Sequence, residues 1–326
     1  MAWSEVLRFT DPLACQTAVQ GCVVEVFPTA AGEFDTEITK IRFSRLWMQR
    51  FHSSLPQVIR LAHPDRKGIS FLTEPKSPEL QYCGMEVLPG DIIVNHCGLA
   101  HMRFAADIRN GAVSLPGSEL NAAFKAITGG EFPVDNEKCI LRPDLASMQR
   151  LLSVHRAVGR LAHDLPDILE LPEVARALEE QLIHLMMRCL AEGGALANTP
   201  GARRHKAIMG RFEEFLEAHH ERPLYLTEIC AGLGVSERTL RAACEEHLGM
   251  GPIRYLTLRR MHLVRRALRY ADSSNSTVTS IVTDHGFWEL GRFSVAYREL
   301  FGESPSVTLR RPAERATFRF DRPSSL

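Results

Sequence analysis

Apolar and polar residues alternate in short runs over the first part of the chain and recur every three to four residues over the rest. From residue 20 to about 135 the runs GCVVEVFP, TEITKIRFSRLWMQRF, QVIRLAH, GISFLTE, GMEVLPGDIIVN and HMRFAADI are punctuated by Gly, Pro and Asp. Two-residue alternation between turn signals predicts antiparallel strands, and LPGD at 88–91 is a strong turn between two of them. A small antiparallel barrel or sandwich follows. Strand register is not readable, so Phe43, Trp47, Phe51, Phe71 and Phe104 stand equally as core residues and as lining for a pocket.

Two helical patterns come next, Asp144–Leu165 and Leu171–Gly194, the second with Pro172 at its start and Gly193 at its stop. The second helix carries an apolar stripe through Val174, Leu178, Leu182, Leu185 and Cys189. That stripe must be buried on the chain's own strands or on a twin, and the helix Glu173–Ala191 is expected to be the seam between two copies. A stretch rich in Gly, Ala and Pro, 193–204, reads as a linker.

The remainder is helical. RHKAIMGRFEEFLEAHHERP is one amphipathic helix ending before Pro223. In YLTEICAGLGVSERTLRAACEEHLGMGP, Thr227 is expected to cap a short helix, Glu228–Leu233, which Gly234 ends; Ser236 then caps Glu237–Leu248, stopped by Gly249. Two short helices about a glycine turn make a helix-turn-helix. The plan repeats: a helix from about Val278 to His285, a break at Gly286, and a helix from Leu290 to Phe301 ended by Gly302. Phe293, Tyr297 and Phe301 are spaced i, i+4, i+8 and form one stripe that seats this helix, leaving its other face outward. Between the units, Pro252–Tyr270 reads as one helix of roughly 28 Å at ~1.5 Å per residue, which approaches one turn of B-DNA, about 34 Å.

Charge sharpens the picture. The 326 residues hold 39 basic and 39 acidic side chains, yet residues 203–326 carry 20 Lys+Arg against 15 Asp+Glu, all but one of the cations arginine. A basic helical module beside an acidic partner suits nucleic acid. The bland alternative is a solvated arginine surface.

Two helix-turn-helix units joined by a long helix, with LGVSERTL in the first and GF....F..AY...FG..PS...R in the second, resemble the AraC family of bacterial transcription regulators. The resemblance covers residues 210 to 311, and GFWELGRFSVAYRELFG is most similar to the branch that includes the ethanolamine-utilisation regulator. Cys244, Val282 and Leu309 depart from the family pattern by apolar exchanges that bear on packing. The resemblance implies an α+β chain. An effector-binding and dimerisation domain spans 1–192, a small cupin-like antiparallel β-barrel (β-rich over 20–135) with helices over 144–192. An all-α DNA-binding domain spans 205–311, and a tail 312–326. It also implies which residues face DNA: Glu237, Arg238, Arg241 and Ala242 on the first recognition helix, and Leu290, Gly291, Arg292, Ser294, Val295 and Arg298 on the second. Arginine suits guanine O6 and N7, and Leu290 and Val295 suit thymine methyls; Arg292 and Arg298 suit phosphate. The implied partners are a double-stranded operator, a small-molecule effector, a second copy of the chain and, for an activator, RNA polymerase. The implied setting is the cytoplasm.

The rival class is an enzyme. PGDIIVNHCGLAHMRF is similar to a cupin strand pair, but His96 and His101 are spaced H-x4-H, and the carboxylate and later histidine of a metal-binding cupin do not follow. No metal, cofactor or catalytic residue is expected, and His101 is expected in the pocket or a turn of the barrel. The cysteines at 15, 22, 83, 97, 139, 189, 230 and 244 form no CxxC pair and fit reduced thiols. No apolar run is long enough for a membrane span, and the first residues, MAWSEVLRFTDPLAC, do not read as a secretory signal.

Overall fold

Strands in the first half alternate as the sequence predicts, and helices take over where three-to-four spacing begins. In this computed structural model residues 2–62, 66–95, 99–132, 140–196, 199–219, 224–272 and 274–311 are described. The chain divides into two compact units between Leu258 and Arg259.

The first unit opens with β1 (Trp3–Phe9) and α1 (Pro12–Ala18). Strands β2 (Val23–Pro28), β3 (Thr36–Arg42), β4 (Trp47–Ser53), β5 (Gln57–Ala62), β6 (Arg66–Leu72), β7 (Leu80–Tyr82), β8 (Met85–Val87), β9 (Ile92–Asn95), β10 (Leu99–Phe104) and β11 (Ile108–Pro116) follow. Then come α2 (Gly117–Thr128), β12 (Ile140–Arg142), α3 (Leu145–Asp164), α4 (Pro166–Glu170), α5 (Pro172–Glu192) and the two-residue β13 (Gly194–Ala195).

Antiparallel pairing gives two sheets, ordered β1-β3-β4-β11-β6-β9-β12-β13 and β2-β5-β10-β7-β8. The expected cupin-like barrel is therefore two separate sheets, not one closed ring. The α+β class and the antiparallel first half hold. The expected β-rich span 20–135 misses β1 and takes in α2. In α2, Leu120 and Phe124 are buried four apart and Gly129 stops the helix at φ 72°, a helical signal that the surrounding strands mask. The turn at 88–91 forms, with Gly90 at φ 101°.

The larger sheet has two unlike faces. Met48, Ile69, Phe71, Ile92, Val94, Val113 and Leu115 share a core with Leu120 and Phe124 of α2, Met148, Leu151 and Val158 of α3, and Leu182, Ile183, Met186 and Leu190 of α5. The helix α3 starts where expected because the Asp144 carboxylate accepts from the N–H groups of Ala146 and Ser147, at 2.9 and 3.2 Å. In the middle of α5, buried Glu179 accepts from the Arg45 and Leu46 N–H groups at 2.6 and 2.8 Å, so this helix also holds the β3–β4 turn. Two expected pocket candidates, Phe43 and Phe71, belong to this core. Trp47 lies between the guanidinium groups of Arg42 and Arg66.

The α5 stripe, expected to be the seam between copies, is instead covered by the chain's own core: Leu182 and Cys189 are 1% and 0% exposed, with Leu178 and Leu185 packed at the margin of the same cluster. Leu182→Glu is accordingly expected to unfold the first unit, since an unpaired charge there costs several kcal/mol. Circular dichroism and sedimentation check it; a well-folded monomer would return the stripe to a seam between copies.

Candidate functional site

The helices that follow carry the predicted DNA-facing residues. Thr199 caps α6 (Pro200–Ala218) by accepting from Ala202 N–H at 3.1 Å, so the last residues of the stretch read as linker form its first turn. After it come α7 (Leu226–Leu233), α8 (Glu237–Leu248) and α9 (Pro252–Tyr270). The expected cap Thr227 is instead the second residue of α7. Tyr225 takes the cap position, because its carbonyl already accepts from Ile229 N–H at 3.1 Å. Gly234 at φ 63° turns the chain, Ser236 caps α8 on Thr239 N–H at 3.2 Å, and Gly249 at φ 68° ends it. Only a residue tolerant of positive φ makes so tight a turn.

On α8 the predicted faces separate cleanly. Leu240, Ala243 and Cys244 are fully buried, while Glu237, Arg238, Arg241, Ala242 and Glu245 are exposed. Arg241 pairs with Glu237 one turn earlier, at 2.8 Å. Exposed ion pairs of this kind contribute little to stability, so the guanidinium is free to exchange partners. Cys244, which departs from the family pattern, sits 3.9 Å from Met209 sulfur in α6.

The second unit, from Arg259, contains α10 (Val278–Asp284), α11 (Leu290–Phe301) and α12 (Pro305–Arg310). Thr277 caps α10 and Gly286 turns the chain at φ 77°. The stripe Phe293, Tyr297, Phe301 packs with Met261, Val264, Leu268 and Val282. Tyr297 hydroxyl donates to Thr308 Oγ1 at 2.9 Å, which donates to Glu303 at 2.9 Å; Pro305 starts α12. The GESPS segment is thus a clasp on the aromatic stripe. On the opposite face Leu290, Gly291, Arg292, Ser294, Val295 and Arg298 are all exposed. Arg292 pairs with Glu289 at 2.8 Å. Of the α9 arginines, Arg260 stacks on Phe287, Arg265 lies over Phe301 and near Glu303, and Arg269 is buried, so these three are structural.

Sequence reasoning missed Trp288. It is 75% exposed, two residues before α11, beside exposed Leu290. The signal was present: Trp288 lies outside the 293/297/301 stripe, so no core position claims it.

The first helix-turn-helix packs on the smaller sheet through a buried carboxylate. Glu213 of α6 is 0% exposed. Arg60 Nε of β5 donates to its Oε2 at 3.1 Å. Tyr255 hydroxyl at the start of α9 and His101 Nε2–H of β10 donate to its Oε1 at 2.7 and 3.1 Å. Arg60 also holds Glu25 and Glu217. Here His101 departs from expectation: it faces the helices and lies neither in the pocket nor in a turn. His205 of α6 adds a 2.5 Å bond to Glu246 of α8.

On the other face of the same strands lies a cavity between the two sheets, with about 780 Å³ of empty space, its open mouth included. Val24, Val26, Ile59, Leu61, Phe51 and Phe104 give it an apolar wall, and Gln20, Gln57 and Asn110 reach it as amides. Phe51 and Phe104 are the two pocket candidates that the structure places there. The cysteines Cys15 and Cys22 also line it, and burial pushes both thiols up to about 12, so they stand neutral. Among the described residues no group of three or more His, Cys, Asp or Glu side chains is placed to hold a metal; His96 lies outside them. Among the described residues, too, no helix is long and apolar enough to cross a membrane. The described cysteines 15, 22, 189, 230 and 244 are free thiols; Cys97, Cys139 and the tail 312–326 lie outside the described residues.

Comparison with known proteins places residues 229–311 in a helix-turn-helix domain family. The chain is 33% identical over 171 residues to the probable thc operon regulatory protein of Rhodococcus erythropolis, covering 49% of this chain and 51% of that one. It is 34% identical over 99 residues to XylDLEGF operon transcriptional activator 2 of Pseudomonas putida, covering 30% and 63%. The chain thus spans between half and two thirds of the length of these two relatives. Among solved structures it is similar to the AraC-like transcriptional activator CuxR, at 16% identity, TM-score 0.41, 86% of this chain and 99% of that one. It is also similar to a probable AraC family transcriptional regulator from Rhodopseudomonas palustris, at 32% identity, TM-score 0.29, 32% and 96%.

Two buried histidines give the first unit a pH signature. Burial, and then the neighbouring Arg50, push His155 of α3 down to about 3; burial, and then His101, His205 and Lys206, do the same to His247 of α8. Both stay neutral when folded, whereas the unfolded chain takes up protons below about 6.5. Stability is therefore whole above about pH 6.5 and falls as pH drops toward 3. Urea titrations at a series of pH values should show this decline, weakened in His247→Leu; an unchanged slope in that variant would exclude His247 as a source.

Proposed function

We propose that this chain, which belongs to the AraC family of transcription regulators, binds specific double-stranded DNA and answers to a small molecule held between its two sheets. One observation carries the reading. In both helix-turn-helix units the glycine turn and the buried stripe leave outward the residues that the family motif assigns to DNA, Arg238, Arg241 and Ala242 in α8 and Leu290, Gly291, Arg292, Ser294, Val295 and Arg298 in α11.

The two faces suit different work. Arg238 and Arg241 present forked donors that fit guanine edges in the major groove, with Glu237 and Glu245 tuning their approach. Leu290, Val295 and Trp288 present apolar surface that fits thymine methyls, Gly291 and Ser294 let the backbone come close, and Arg292 and Arg298 take phosphate. The second helix then positions as much as it reads.

Regulation, on this reading, passes through β5 and β10. Ile59 and Leu61 of β5 and Met102 and Phe104 of β10 line the cavity, while Arg60 and His101 on the reverse of the same strands hold Glu213. A ligand that displaces either strand acts on the seat of the first helix-turn-helix without touching it. A homodimer, recruitment of RNA polymerase by an activator, and a cytoplasmic setting complete the proposal, as does the division into an effector domain over 1–192 and a DNA-binding domain over 205–311.

The test is selection of bound fragments from random DNA, followed by affinity measurements on the selected site over a range of salt. Binding should fall steeply with salt. Arg241→Ala should cost about 1–3 kcal/mol and relax choice at one base position, whereas Arg298→Ala should weaken all sequences alike and lower the salt slope by about one. Trp288→Ala should lower affinity with the salt slope unchanged. A folded protein that prefers no sequence over bulk DNA would contradict the reading.

A further inference from the structure

Several polar side chains lining the cavity are satisfied within the protein. Gln49 is satisfied: its Oε1 accepts from Gln20 N–H and its Nε2 donates to Gln20 C=O, both at 2.9 Å. Ser114 Oγ accepts from Arg66 Nε at 3.2 Å, and Ser53 is 3.5 Å from Thr36 Oγ1. Three amide oxygens on residues that line the cavity are buried with no partner: Gln20 Oε1, Gln57 Oε1 and Asn110 Oδ1. The Gln57 and Asn110 side chains are themselves withdrawn from water, with those residues 3% and 6% exposed. Native structures rarely leave such groups orphaned without a reason.

The rest of the wall narrows the chemistry. No Asp, Glu, Lys, Arg or His side chain lines the cavity among the described residues. A carboxylate or ammonium brought inside would lose its hydration and meet no countercharge, which strongly disfavours it. A sugar would set several of its hydroxyls against the mainly apolar wall, where they would go unpaired. A wholly apolar molecule would leave the amides orphaned. A primary amide can present either its oxygen or its NH2 by a half-turn of its last bond, and a hydroxyl donates and accepts, so it matches an amide in either orientation.

We propose that the cavity between the sheets binds an uncharged, mainly apolar molecule carrying one or a few hydroxyl groups, held by the side-chain amides of Gln20, Gln57 and Asn110. The ligand class rests on the reading of the first domain as an effector domain, and it is tested separately from that reading.

Thermal shift and calorimetry on the full chain would compare three alcohols with charged counterparts of like shape: cyclohexanol against cyclohexanecarboxylate, 4-methylbenzyl alcohol against 4-methylbenzoate and 4-methylbenzylamine, and 1-octanol against octanoate. At least one alcohol should raise the melting temperature with dose and bind about tenfold or more tighter than its charged partners, a difference of ~1.4 kcal/mol or more. Asn110→Leu and Gln57→Leu, both made so that the test survives the misfolding of one, should lose that preference and take p-xylene in its place. Failure of all three alcohols, or equal or tighter binding of a carboxylate or amine, would overturn the ligand class, whatever the chain does with DNA. If an alcohol binds as stated and the affinity for selected DNA does not change, the ligand class stands and the effector half of the proposed function falls.

Discussion

The carboxylate of Glu213 is the point on which the first unit turns. It is closed to water and shared by Arg60, His101 and Tyr255, which come from β5, β10 and the first turn of α9. A buried charge is tolerated only where partners replace its lost hydration, and removing one side of such an arrangement costs about 3–5 kcal/mol. The position of α6 on the smaller sheet is therefore specified by polar geometry as well as by apolar contact. Because α8 packs on α6, and is tied to it again through His205 and Glu246, the exposed arginine face of α8 inherits that placement.

Strand alternation then joins two jobs in the same few residues. In β5 the side chains at 57, 59 and 61 line the cavity and Arg60 points the other way; in β10 Met102 and Phe104 line it and His101 points the other way. A two-residue period leaves no slack between the faces. Whatever packs into the cavity is one backbone thickness from the groups that hold the helices. Helices α2, α3 and α5 cover the far side of the larger sheet.

Much of this was legible in the sequence where local chemistry decides. Glycine at positive φ set the turns at 234, 249, 286 and 302, Ser236 set a cap, and the aromatic stripe from Phe293 set the seat of α11. Which residues of the two recognition helices face outward was implied by the family motif. What could not be read depends on residues far apart in the chain. Two sheets or one closed barrel is a matter of which strands pair, and α2 hid among strands. His101 looked like a pocket residue because nothing local says which face of β10 meets Glu213, 112 residues away. The same distance hid the amides of Gln20, Gln57 and Asn110, which share a cavity only after both sheets form. Trp288 was visible but unassigned, since exposure is a property of the fold.

Amide hydrogen exchange on Glu213→Ala tests the central claim most directly. If Glu213 seats the first helix-turn-helix on the sheet, protection in α6, α7 and α8 should fall while α3 and α5, buried on the larger sheet, keep theirs. Unchanged protection in all five helices would show that apolar packing alone holds that seat and would contradict the role given to Glu213.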